Sequence, residues 1–158
     1  MSDSHRPARR RWFIPWVPKP DTMKRIGKLH IQLFRRTRGL VGGRVDGLDI
    51  FLLTTRGRKT GLERTVAIPY FRREGKVLTI ASYGGNTVNP AWYVNLRANP
   101  DVSYELGGRV YRGVARTAMG DERQRLWDSV ADEHPRFNRY LAWCGERQIP
   151  VVVIDPAP

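Results

Sequence analysis

From Leu48 onward, apolar residues come in short runs separated by glycine, asparagine and proline, a pattern that predicts strands and tight turns. Leu48–Thr55 (LDIFLLTT) suits a buried strand, with Thr65–Arg72 as its antiparallel partner. Arg73-Glu74-Gly75 turns into a third strand, Lys76–Ser82, which Gly84-Gly85-Asn86 breaks. Val102–Leu106 and Arg109–Arg116 flank Gly107-Gly108, a two-residue hairpin signal. Ile149–Ile154 (IPVVVI) closes the pattern as a strand, with its proline near the start where a missing N–H costs least.

Helical spacing occupies the remainder. Over residues 21–38, Asp21 or Thr22 can cap a helix whose Ile26, Leu29, Leu33 and Phe34 recur on one side, with Ile31 at its edge and Gly39 as the stop. Asn89-Pro90 predicts an N-cap with proline at the first helical position, and Asn99-Pro100-Asp101 ends that helix. Asp121 with Gln124 suggests a capping box before Leu126, Trp127, Val130 and Ala131, and His134-Pro135 closes that helix. Arg136–Arg147 predicts a short further helix carrying Phe137, Tyr140, Leu141 and Cys144. About six strands and three or four helices lack the βαβ alternation of a doubly wound sheet. The expected class is α+β: a small barrel-like, mostly antiparallel sheet with flanking helices. Residues 1–20, rich in arginine and proline, are expected to be irregular, and 21–158 to form a single domain.

Charge changes this picture. Twenty-eight Lys and Arg against fifteen Asp and Glu give +13, a field that attracts anions without choosing among them. One cysteine forms no internal disulfide, and three scattered histidines offer no metal-ligand spacing. No apolar run reaches the ~20 residues that span a bilayer, and Trp12–Pro18 lacks a cleavage site, so a cytoplasmic location is expected. The basic helix leaves two readings open. Its apolar side packs on the domain, or residues 12–38, with Trp12, Phe13 and Trp16, make peripheral contact with an anionic membrane face.

Three places can hold chemistry. Thr54–Thr65 (TTRGRKTGLERT) joins two strands and packs Arg56, Arg58, Lys59 and Arg64 around Gly57 and Gly61. Arginine supplies forked donors for phosphate or carboxylate, and glycine permits close backbone approach. The order is not that of a Walker loop, and spacing alone leaves phosphate binding and a solvated hairpin tip both open. Ser82-Tyr83-Gly84-Gly85-Asn86 leads to a helix N-terminus whose N–H groups favour an anion. Trp92 and Tyr93 there are more simply core residues. His134, Phe137, Tyr140 and Trp143 share one helix side, a pattern that ordinary packing also explains. No Ser-His-Asp set or carboxylate dyad is present, so an enzyme of this sequence borrows its chemistry from a cofactor.

LLTTRGRKTGLERT at 52–65, IASYGG at 80–85, NPAWYVNLRANP at 89–100 and IPVVVI at 149–154 together resemble the deazaflavin-dependent nitroreductase family, also called F420H2-dependent quinone reductases. The resemblance spans about residues 22–156. It implies a split β-barrel of the FMN-binding-like kind, the coenzyme F420, and hydride transfer to a quinone, nitroaromatic or activated enone. On the matching positions it implies that Arg58, Lys59, Thr60, Gly61 and Arg64 hold the phosphate and oligoglutamate tail. Ala81, Ser82, Tyr83 and Gly84 would line the deazaflavin, with Pro90, Ala91, Trp92 and Asn95 completing the site. Ser82, through its hydroxyl or backbone N–H, and the Tyr140 hydroxyl are the expected catalytic donors, and Pro69, His134, Phe137 and Tyr140 the acceptor side. A nitroimidazole-activating member has lysine at Tyr83 and tyrosine at Pro69, His134 and Phe137, so a different acceptor pocket is expected here. In the family a basic N-terminal helix can associate with membrane. The alternatives are an FMN or heme binder on the same barrel, or a basic nucleic-acid-binding module; the latter lacks any recognition motif, and no specific nucleic acid is expected.

Overall fold

A computed structural model describes residues 20–157; the expectations for residues 1–19 lie outside the described residues. The strands are β1 (Arg44–Val45), β2 (Leu48–Arg56), β3 (Glu63–Pro69), β4 (Phe71–Arg73), β5 (Lys76–Ile80), β6 (Asp101–Leu106), β7 (Arg109–Thr117) and β8 (Val151–Pro156). They form one antiparallel sheet in the order β1-β2-β6-β7-β8-β5-β4, with β3 on the second side of β2. The sheet curls into a half-barrel. Helices α1 (Pro20–Arg36), α2 (Ala91–Ala98), α3 (Gly120–Ala131) and α4 (Arg136–Trp143) flank it.

Strand β8 shows why the sheet curls around two cores. Val151 through Ile154 are all at most 1% exposed. Because side chains alternate along a strand, Val151 and Val153 meet Leu126, Trp127, Val130 and Phe137 of α3 and α4. Val152 and Ile154 meet Phe51, Leu53, Trp92 and Leu96 on the α2 side. Burial on both faces explains an apolar run without alternation.

Eight strands stand where about six were expected. The predicted strand Thr65–Arg72 divides at Tyr70. Pro69 has no N–H to continue the ladder, Tyr70 N–H donates to Asp49 O at 3.0 Å, and Phe71 starts a new pairing with β5. The two-residue β1 closes on β2 through Asp46 (φ 51°) and Gly47 (φ 78°), an Asp-Gly turn with both central residues left-handed.

The helix ends also differ from expectation. Pro90 is the N-cap of α2 rather than its first residue, and the Asn89 Oδ1 that was to cap it accepts from Arg147 Nη1 at 2.9 Å instead. Met119, not Asp121, precedes α3, and no capping box forms; Gln124 Nε2 donates to Asp128 Oδ1 at 2.9 Å. Helix α4 stops at Trp143, not at Arg147, because Gly145 turns the chain at φ 64°.

Helix α1 buries less than its pattern suggested. Phe34 is 1% exposed and Ile31 half-buried, but Ile26, Leu29 and Leu33 are 53%, 65% and 41% exposed. Arg35 fixes the helix to the sheet through a forked ion pair with Glu105, which holds the guanidinium above its ordinary pKa.

Candidate functional site

The cationic loop closes on itself before it can bind anything. Gly57 N–H donates to Leu62 O at 2.8 Å and Gly61 N–H to Gly57 O at 2.7 Å. A Cβ at Gly57 would lie 2.9 Å from Thr60 Oγ1 and 3.2 Å from Leu62 O, so glycine is favoured there by contact rather than by dihedral angle. Thr60 Oγ1 accepts the Leu62 N–H at 3.3 Å. The tip therefore keeps one shape while Arg56, Arg58, Lys59 and Arg64 stay exposed, and none of these four makes an ion pair among the described residues. Four exposed cations carried on a fixed loop suit a ligand with several negative charges. A groove of about 420 Å³ at the root of the loop mixes Arg56 and Arg112 with Glu63 and Asp101, which makes it a poor place for a polyanion.

Asn95 ties this loop to α2. Its Oδ1 accepts the Arg58 N–H at 3.2 Å, and its Nδ2 donates to Thr55 Oγ1 at 3.3 Å. From Asn95 back to the first residue of α2 is four residues, about 6 Å of helix. The cations and the α2 N-terminus thus lie along one track.

The Ser82 turn precedes that N-terminus. After Ala81, which is fully buried, a 3-10 turn covers Tyr83–Gly85. Ser82 is right-handed (φ −68°, ψ −37°), and Tyr83, Gly84 and Gly85 follow at φ 50°, 63° and 79°. A right-handed residue followed by left-handed ones turns successive N–H groups toward one concave side, the geometry of an anion nest. The N–H groups of Ser82, Tyr83 and Gly84 have no acceptor among the described residues. The outer side of the loop is held by Arg147, whose guanidinium donates to the carbonyls of Ala81 (3.0 Å), Ser82 (2.7 Å) and Asn86 (2.9 Å) and to Asn89 Oδ1. The sequence reading missed Arg147 by placing it inside a helix; the glycine two residues earlier was the signal.

Helix α4 packs on this turn at backbone distance. A Cβ on Gly85 would lie 3.2 Å from both Tyr140 Cα and Tyr140 O, and 3.0 Å from Trp143 Cβ. The structure therefore brings Ser82–Gly85 together with Tyr140 and Trp143. Arg136 anchors the start of α4 to the β1–β2 turn, through the Asp46 carboxylate and the Asp46 carbonyl at 2.7 Å. Tyr140 is half-buried against Phe137 and Trp143, with ring centroids 5.6 and 5.9 Å away.

The other acceptor-side positions fall elsewhere. Phe137 is 3% exposed in the core between Phe71 and Trp127, so its side chain does not line an open pocket. His134 packs tilted against Phe71, with ring centroids 5.4 Å apart, and sits 3.6 Å from Glu133 Oε1. Pro69 is half-buried at the end of β3, with its carbonyl bound by Thr79 Oγ1 at 2.7 Å. Trp92 packs in the core at 7% exposure, edge-on to Tyr93, so it offers the site its backbone and not its ring. Pro90 is buried at the same corner and Ala91 is exposed.

Comparison with known proteins gives the family and the fold. The model of the F420H(2)-dependent quinone reductase family matches residues 26–156. An F420H(2)-dependent quinone reductase of Mycobacterium tuberculosis is 36% identical over 132 residues, covering 80% of this chain and 87% of that protein. A solved F420-H2 dependent reductase superposes with a TM-score of 0.61 at 36% identity, over 67% of this chain and 93% of its own. A structure described as a domain-swapped dimer gives 0.62 at 30% identity, over 86% and 99%. The fold is the split barrel of these reductases, and the deazaflavin coenzyme takes precedence over FMN or heme. This chain belongs to the F420H(2)-dependent quinone reductase family, a family of oxidoreductases whose cofactor is reduced F420.

Proposed function

We propose that the chain binds reduced F420 along the track from the cationic loop to the Ser82 turn and reduces a quinone there. The observation that carries this reading is Asn95, which joins the Arg58 loop to the helix that the Ser82 turn introduces. The residues present fit the coenzyme at both ends: cations at one and N–H groups at the other, both without partners among the described residues. Arg58, Lys59, Thr60, Gly61 and Arg64 hold phosphate and carboxylates. Ala81, Ser82, Tyr83 and Gly84, with the backbone of Pro90, Ala91 and Trp92, seat the ring. When bound, the reduced coenzyme supplies the hydride. Ser82, through its hydroxyl and N–H, orients the ring; the Tyr140 hydroxyl donates to the acceptor oxygen as it gains negative charge. His134 and Pro69 shape the acceptor side from further out, and a nitroaromatic or enone fits the same chemistry. A fluorescence titration with F420, followed by quinone reduction with its reduced form, tests the assignment. No saturable binding at micromolar coenzyme removes it.

A second reading concerns location. No helix among the described residues is long and apolar enough to cross a membrane. The exposed Ile26, Leu29 and Leu33 beside Arg25, Lys28 and Arg36 support peripheral contact with an anionic bilayer from the cytoplasmic side. Co-sedimentation of the full chain with anionic vesicles should fall when Leu29 and Leu33 are changed to glutamate, at unchanged fold. Equal sedimentation by both proteins removes the idea.

A further inference from the structure

Arg147 has no part in the proposed binding or catalysis, yet one loop engages all three nitrogens of its guanidinium. Nη1 donates to Ala81 O and Asn89 Oδ1, Nη2 to Ser82 O, and Nε to Asn86 O, all between 2.7 and 3.0 Å. No carboxylate pairs with it among the described residues, so its charge rests on neutral acceptors. The backbone of Arg147 is itself fixed: its carbonyl accepts from Cys144 Sγ at 3.0 Å, and its N–H donates to Cys144 O at 3.3 Å.

The two shortest-range consequences follow from peptide geometry. The carbonyls of Ala81 and Ser82 belong to the same peptide units as the N–H groups of Ser82 and Tyr83. In a trans peptide the C=O and N–H point in opposite directions. A cation bound at the oxygens therefore lies behind both N–H donors, and it strengthens them by polarising the units between. It also holds a loop that has reason to relax, since Tyr83 is a non-glycine residue at φ 50°.

We propose that Arg147 is a positioning residue: it sets and polarises the Ser82 and Tyr83 amides as a donor pair for an oxygen that carries negative charge during hydride transfer. This rests on the proposed function for its ligand, though not for its geometry. The oxygen belongs either to the bound coenzyme or to the acceptor, and the two separate experimentally. If it is the coenzyme's, Arg147→Gln raises the coenzyme Kd about tenfold. If it is the acceptor's, the Kd stays and kcat at saturating coenzyme falls about tenfold, a fraction of what losing an oxyanion donor outright costs.

The test uses the full chain with Arg147→Gln and Arg147→Lys, the latter retaining charge without the fork; if the glutamine variant does not fold, the lysine variant decides. Amide hydrogen exchange is read alongside coenzyme titration and turnover. Exchange at the hydrogen-bonded amides of the turn, Gly85 and Asn86, should accelerate about tenfold while β5 and β8 keep their protection. Folded variants with Kd and kcat within twofold of the wild type overturn the proposal. Failure of the wild-type chain to bind F420 instead overturns the coenzyme reading, and unchanged exchange at Gly85 and Asn86 then overturns the positioning role on its own.

Discussion

Gly85→Ala tests the contact that packs α4 on the Ser82 turn. At φ 79° an alanine is in the left-handed region, which costs roughly 1–2 kcal/mol for an L-residue. Its Cβ would also stand 3.2 Å from Tyr140 Cα and O and 3.0 Å from Trp143 Cβ. None of these atoms ends a flexible side chain, so either the turn or α4 must move. Overpacking of this kind adds about 1–3 kcal/mol. The expected loss is then about 2–5 kcal/mol, a large part of the ~5–15 kcal/mol that holds a domain together. Gly84→Ala is the control: it shares the left-handed backbone (φ 63°) but meets nothing within 4 Å, so only the roughly 1–2 kcal/mol dihedral cost applies. Denaturant unfolding of both variants isolates the contact as the difference, about 1–3 kcal/mol. Equal losses in the two proteins would refute the close packing of α4 on the Ser82 turn, and with it the placement of Tyr140 beside Gly85.

Three further outcomes follow. Arg58→Ala and Lys59→Ala should each raise the F420 Kd about tenfold, the low end for charged hydrogen bonds because both side chains are exposed, while turnover at saturation is kept; titration and kinetics separate the two. Arg116, hydrogen-bonded to Glu122 and Asp155 and raised in pKa by both, holds the Glu122 carboxyl below its usual range. A depressed carboxylate contributes stability that is present above its unfolded pKa of about 4.3 and lost as pH falls through the folded value, so the stability gap between wild type and Glu122→Gln should be flat near neutrality and shrink in acid. Binding to random DNA, driven by net charge alone, should vanish at moderate salt while F420 stays bound, as a filter-binding series would show.

The parts of this molecule written in local pattern were legible. IPVVVI announces a strand, though not its burial on both faces, and Gly107-Gly108 a hairpin. The Asp46-Gly47 turn carried an equally strong signal and was overlooked because its strand β1 is only two residues long. The cationic loop was visible from spacing, but its attachment to Asn95 was not, since thirty-seven positions separate Arg58 from Asn95 and only the fold brings them together. Phe137 and Trp92 illustrate the converse. Aromatic residues near a site look alike in sequence whether they line it or support it, and burial alone tells them apart. Arg147 is the sharpest case: one arginine among many has no signature until Gly145 ends the helix and frees its side chain to cross to the opposite loop.

The most direct test of the account is fluorescence titration of the full chain with F420, in wild type and Arg58→Ala. Saturable binding at micromolar coenzyme, weakened by the substitution, is the predicted result. An absence of saturable binding, or an affinity that Arg58→Ala leaves unchanged, would contradict it.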